Sequence, residues 1–241
     1  MEQIQLSLDL DQHKPLASIR ARLLALHGPQ RDSLRHDPAS QFVKALISSC
    51  TRDAVSERSY QNLRRHFATW EDLAQSTPEI IHPLIADVTR SRDQTRHLLA
   101  SVQHLIRLQG RFDLAYLAPW PLDAALHHLL QFEGIGPKCA AATLNFSTLR
   151  RRVLVVDRHV QRVCTRLGFL PDRADGEKAH RLMMHHIPAA WDADDLYELH
   201  WLIKRFGQEV CTARRPGCIQ CVLALQCRMA RTKRGPSCSA E

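Results

Sequence analysis

The chain has no apolar run approaching the length of a membrane span, so no membrane partner is expected of it. Its opening residues, MEQIQLSLDLDQ, carry acids and lack a basic start followed by an uninterrupted apolar stretch. A secretory signal is therefore not expected, and a cytoplasmic location is. Acid is also in short supply: 25 Asp and Glu face 33 Lys and Arg, leaving a formal charge of +8. That balance favours a polyanionic partner, which charge alone cannot assign to DNA, RNA or an anionic surface. There is no internal repeat and no low-complexity linker. Strand patterns are nearly missing as well, since only Val153-Leu154-Val155-Val156 looks extended, and four residues cannot found a sheet. The expected fold class is all-α.

What is present has a helical period. Ile19, Leu23 and Leu24 share a face, and Gly28 supplies a stop. Ser40 is an expected cap for a helix carrying Phe42, Val43, Leu46 and Ile47, and Asp53 for one carrying Val55, Tyr60, Leu63 and Phe67. Thr77-Pro78-Glu79 reads as a further helix start, and Leu98, Val102 and Leu105 form a stripe that ends at Gly110. Near the C-terminus, helices are expected over about 177–186 and 194–206, the second ending at Gly207. The adjacent pairs His127-His128 and His185-His186 point to different helix faces and do not make a metal site.

Two short stretches carry chemistry. Asp123 is expected to cap a short helix, Pro137 suits the first turn of the next, and Gly134-Ile135-Gly136 joins them. Glycines at 134 and 136 permit positive φ and close backbone approach, so amides at the second helix's start can meet a phosphate. Lys138 follows at once. Further on, the buried run 153–156 leads into Asp157, expected to cap a helix through Val160, Val163, Cys164 and Leu167.

The chain has eight cysteines, of which Cys211, Cys218, Cys221 and Cys227 crowd together. Four thiolates on a loop containing Pro216 and Gly217 suit either zinc or an iron–sulfur cube. Only one short C-x2-C knuckle exists, flanked by longer arms better suited to the larger group. Cys139 and Cys164 read as buried small apolar residues, and Cys238 as a free thiol.

Together, the helix, G-x-G hairpin and helix, the spacing Cys-x6-Cys-x2-Cys-x5-Cys, and the order of Lys138 and Asp157 resemble the endonuclease III-like helix-hairpin-helix DNA glycosylases, from about Phe42 to Cys227. The resemblance implies a two-lobed helical glycosylase fold. One lobe would be a helical barrel over about 31–150, with the helix-hairpin-helix at about 123–147. The other would combine about 1–30 and 151–241 and carry a [4Fe–4S] cluster loop at 211–227. The same resemblance makes Lys138 the catalytic lysine and Asp157 the essential aspartate, reaching a cleft from opposite lobes. It makes Gly134, Ile135, Gly136, Cys50 and His159 DNA contacts, and the four clustered cysteines cluster ligands. The implied activity is base excision with AP lyase β-elimination, on oxidised pyrimidines and abasic sites in double-stranded DNA, by a monomer associated with a bacterial nucleoid. A monofunctional glycosylase of the same fold and a non-enzymatic iron–sulfur DNA-binding or redox-sensing protein are the alternatives.

Three departures bear on substrate preference. Glu133 stands where a proline commonly precedes the hairpin glycine. Cys50 occupies a place where many members insert a glutamine into the DNA. Val88-Thr89-Arg90-Ser91-Arg92 replaces a glycine-and-aromatic turn. Separately, Gln5, Leu6, Leu8 and Leu10 within residues 1–13 resemble the peptides with which bacterial repair proteins dock on the sliding clamp.

Overall fold

A computed structural model describes residues 16–31 and 34–230. The expected clamp-docking segment and Cys238 lie outside the described residues. Eleven α-helices and two 3-10 turns account for the regular structure among the described residues, with an isolated parallel bridge between His36 and Ser147 and no strand. The chain divides into two units, Ser33–Arg152 and the combination of Met1–Asp32 with Val153–Glu241.

The Ser33–Arg152 unit contains α2 (Pro38–Ile47), α3 (Asp53–His66), α4 (Trp70–Ala74), α5 (Pro78–Leu84), α6 (Ser91–Gln109), α7 (Leu122–Leu129) and α8 (Pro137–Phe146). Helix α2 is its centre. Phe42, Val43, Ala45, Leu46 and Ile47 are all buried, so apolar contact surrounds the helix rather than striping one face. Phe42 meets the edges of Phe112 and Phe132 at centroid distances of 6.0 and 5.5 Å. Its truncation to alanine would cost about 3–5 kcal/mol. The small residues Cys139, Ala140, Ala141 and Ala142 let α8 lie close to α2, close enough for the Cys139 thiol to reach the Ala45 carbonyl at 3.2 Å. The glycine stop at Gly110, φ 75°, is as expected.

Three caps differ from expectation. Asp37, not Ser40, caps α2: its carboxylate accepts from the Ser40 amide at 2.9 Å, with Pro38 in the first turn. Ser40 is instead buried, its hydroxyl accepting from the Trp70 indole at 3.1 Å. Asp53 and Asp123 lie in the first turns of α3 and α7 rather than at the caps, where they still complement the positive helix end.

The other unit contains α1 (Leu16–His27), α9 (Arg158–Leu167), α10 (Gly176–His185) and α11 (Ala193–Glu209). Leu16, Ile19 and Leu23 of α1 join Val160, Val163 and Leu167 of α9, Met183 of α10, and Leu199, Leu202 and Phe206 of α11 in one core. The carboxylate of Glu198, 3% exposed, survives burial because the Arg20 guanidinium pairs with it and with Asp195. Gly207 does not end α11, which runs on to Glu209. A Cβ there would lie 3.2 Å from His159 Cβ and Val163 Cγ2, so the glycine serves the approach of α9 to α11. The run 153–156 is a buried extended connector, as expected, and enters α9 through Asp157.

Candidate active site and cysteine pocket

In the first unit α7 and α8 are joined by the hairpin. The Ile135 amide donates to the Phe132 carbonyl at 3.1 Å, and both side chains are buried, which plugs the turn into the core. Gly134 has φ 76°, in the left-handed region. Gly136 does not share this conformation: with φ −102° and ψ 179° it is extended, and a side chain there would meet nothing within 4 Å. Neither backbone conformation nor a neighbouring side chain therefore requires glycine at 136. Helix α8 has no side-chain cap, so the amides of its first turn, including those of Lys138 and Cys139, are left for other partners.

The hairpin is buttressed from α6. Ser101 donates to the Glu133 carbonyl at 3.3 Å. One turn earlier His97 sits against Gly134, where an added Cβ would approach its side chain to 2.6–2.9 Å. Gly134→Ala therefore combines a left-handed backbone cost of about 1–2 kcal/mol with displacement of His97. The expected result is a destabilised protein; a variant melting like the parent would contradict this buttressing role.

At the start of α8, the Lys138 amine donates to Ser48 Oγ at 2.7 Å, and Ser48 in turn donates to the Ala45 carbonyl at 2.9 Å. Ser48 is the C-cap of α2, so the amine rests at the C-terminal end of that helix. Nothing local in the sequence links residues 48 and 138. Two residues on, Cys50 is exposed with φ 57°, and its carbonyl accepts from Thr89 Oγ1 at 3.1 Å. The Thr89 amide donates to Thr51 Oγ1 at 3.0 Å, and Arg90 is also left-handed, φ 54°. Two of the sequence departures, Cys50 and the 88–92 turn, are thus brought together.

In the second unit Asp157 caps α9. Its Oδ1 accepts from the amides of His159 and Val160, both at 2.8 Å. Burial pushes its carboxyl up, but His200, the Val160 amide, Lys204 and His159 outweigh that and hold it below the ordinary aspartate value. It is an anion at neutral pH. His159 turns toward its own unit: its Nδ1 meets the Arg162 guanidinium at 3.1 Å, and burial pushes its pKa down. His200 and Lys204, one turn apart on α11, are further neighbours of Asp157.

Cys211, Cys218, Cys221 and Cys227 line one pocket together with Val163, Leu167, Phe206 and Leu223. Among the described residues no three His, Cys, Asp or Glu side chains are grouped to hold a single metal ion. Burial pushes the Cys221 thiol up, and Cys211, Cys227 and Cys218 push it further. The Arg166 guanidinium donates to Cys211 Sγ at 3.2 Å and to the Cys211 and Thr212 carbonyls, fixing the entry to the loop.

A family model described as HhH-GPD superfamily base excision DNA repair protein matches residues 43–189. The chain belongs to this superfamily. Endonuclease III of Thermotoga maritima is 24% identical over 204 residues, covering 84% of this chain and 88% of that protein. The DNA glycosylase/AP lyase ROS1 of Arabidopsis thaliana is 30% identical over 161 residues, 60% of this chain. This chain covers 12% of that plant protein and 10% of the rice relative ROS1C, which is 26% identical over 198 residues. The fold matches a trapped endonuclease III–DNA covalent intermediate with a TM-score of 0.74 at 21% identity, covering 91% of this chain and 98% of that one. The HhH-GPD match takes in the hairpin, Lys138 and Asp157, and stops before the cysteine pocket.

Proposed function

We propose that this HhH-GPD chain removes damaged bases, oxidised pyrimidines foremost, from double-stranded DNA and cleaves the resulting abasic strand by β-elimination. The observation that carries the reading is Lys138, a primary amine held by Ser48 at the exit of the hairpin, on the first turn of α8. The hairpin amides grip a phosphate, and the target nucleotide leaves the stack to expose C1′. The neutral amine attacks C1′, a new C–N bond forms, and the C1′–base bond breaks, the electron pair and a proton leaving with the base. Ring opening gives an iminium, loss of a C2′ proton follows, and the C3′–O bond breaks to release the 3′ phosphate. Asp157, anionic and capping α9, stabilises positive charge on the sugar and assists proton transfer. Borohydride added to a mixture with abasic-site duplex tests this. A covalent protein–DNA adduct supports the lyase; base excision with no adduct supports a monofunctional glycosylase; neither activity supports a DNA-binding role alone.

The cysteine set fits a [4Fe–4S] cluster. Four sulfurs share one pocket with apolar walls, and burial with the other three sulfurs raises the cost of ionising Cys221, a cost that a polycationic group removes. Bound there, the cluster supplies a crosslink for a loop with little core of its own. Purified protein is expected to be brown and to contain about four irons per chain. Stoichiometric zinc without iron would contradict the cluster.

The segment holding Gln5, Leu6, Leu8 and Leu10 is proposed to tether the enzyme to a bacterial sliding clamp at the nucleoid, raising its effective concentration on newly replicated DNA. A peptide covering residues 1–13 is expected to bind the clamp at micromolar concentration and to lose binding with Gln5→Ala and Leu8→Ala. No binding at hundreds of micromolar, by peptide and whole protein alike, would remove the tether.

A further inference from the structure

The connector before Asp157 poses a problem of polar accounting. Val153, Leu154, Val155 and Val156 are 5% exposed or less, yet no strand pairs with them. Their peptide groups must find partners inside the core. The peptide between Val155 and Val156 finds two. Its carbonyl faces His200 Nδ1 of α11 at 2.8 Å, and its N–H donates to His180 Nε2 of α10 at 3.3 Å. In a trans peptide these two groups point in opposite directions, so the histidines hold one peptide plane from both sides. The hydrogen bonds also fix the rings: His200 donates from Nδ1, and His180 must keep Nε2 free of a proton to accept. Burial, with His200 adding to it, pushes His180 down to about 4, so it remains a neutral acceptor across the neutral range. The next residue in the chain is Asp157.

We propose that His180 and His200 are positioning residues that clamp the 155–156 peptide and thereby fix the direction in which Asp157 leaves the connector. The geometry explains the placement. Asp157 Oδ1 is already committed to the amides of His159 and Val160, which orient the carboxylate relative to α9. The clamped peptide supplies the other constraint, orienting the approach to that cap relative to α10 and α11. His200 has a second effect, since it also helps to keep the Asp157 carboxylate charged. His180 touches the connector alone in this respect and is the cleaner handle.

The inference rests on the reading of Asp157 given above, and its test separates the two. Base excision is measured in a single turnover on duplex DNA carrying an oxidised pyrimidine, for the parent, His180→Phe, His180→Gln, Asp157→Asn and the double variant Asp157→Asn/His180→Phe. Phenylalanine keeps the ring and removes the acceptor, whereas glutamine can place its Oε1 where Nε2 stands. His180→Phe is expected to slow excision about tenfold, the scale of one lost hydrogen bond, with duplex affinity unchanged. His180→Gln is expected to restore most of the rate, and in the Asp157→Asn background His180→Phe is expected to have no further effect. Amide exchange at Val156 should quicken in His180→Phe and return in His180→Gln. Equal slowing in both backgrounds would show a merely structural histidine and overturn the proposal, as would unchanged Val156 exchange. An active His180→Phe beside an inactive Asp157→Asn overturns the clamp and leaves the reading of Asp157 standing; an Asp157→Asn that excises at the parental rate overturns both. Should His180→Phe fail to fold, His180→Asn, whose shorter amide stops short of the Nε2 position, carries the same expectations.

Discussion

Lys138→Gln abolishes strand cleavage at abasic sites, a loss expected to be roughly a thousandfold or more, as when a covalent nucleophile is removed from other enzymes. Glutamine retains length and a hydrogen-bond donor, so it can still reach Ser48 Oγ, where the lysine amine now donates at 2.7 Å. The hairpin itself is held by the Ile135–Phe132 turn and by Ser101 on α6, neither of which involves Lys138. Duplex binding should therefore persist. What glutamine lacks is a nucleophilic amine, so loss of cleavage with retained binding separates chemistry from grip. Cleavage at the parental rate in the purified variant would remove Lys138 from the reaction.

Asp157→Asn is expected to slow base excision on the order of a hundredfold to a thousandfold, the usual scale for one preorganised electrostatic contact. Asparagine is as good a helix cap as aspartate, and its Oδ1 can accept the same two amide hydrogens from His159 and Val160. The substitution thus removes charge and leaves the start of α9 intact. The parent's pH behaviour follows from the same carboxyl. Because the folded protein holds it below its ordinary value, its contribution to stability is present at neutral pH and is lost as pH falls through the depressed value. Thermal melting against pH should show this acid-side loss in the parent and less of it in Asp157→Asn. An unfolded variant whose remaining folded fraction excises normally would make Asp157 a cap and nothing more.

Features set by neighbouring residues were legible in the sequence. The all-α class followed from the missing strand patterns, and Asp157 was legible as a cap because it stands between an apolar run and a clean helical period. At α2 the cap is Asp37 rather than the expected Ser40, because Pro38 takes the first turn and Ser40 is left to meet Trp70 across 30 residues. Gly207 was misread for a related reason: an interior glycine serving helix–helix approach has the same letter as a stop. Among the candidate site residues, Lys138 and Asp157 were visible from motif order, but the groups that hold them were not. Ser48 lies 90 residues from Lys138, and His180 meets Val156 from 24 residues away, contacts that only the fold creates.

In the proposed reaction the amine of Lys138 forms the covalent bond to the DNA. Borohydride trapping on an abasic-site duplex, followed by digestion and mass spectrometry of the adduct, locates that bond. The predicted result is a sugar remnant on the peptide containing Lys138, with no other modified amine; an adduct at a different lysine or at the N-terminal amine would contradict it.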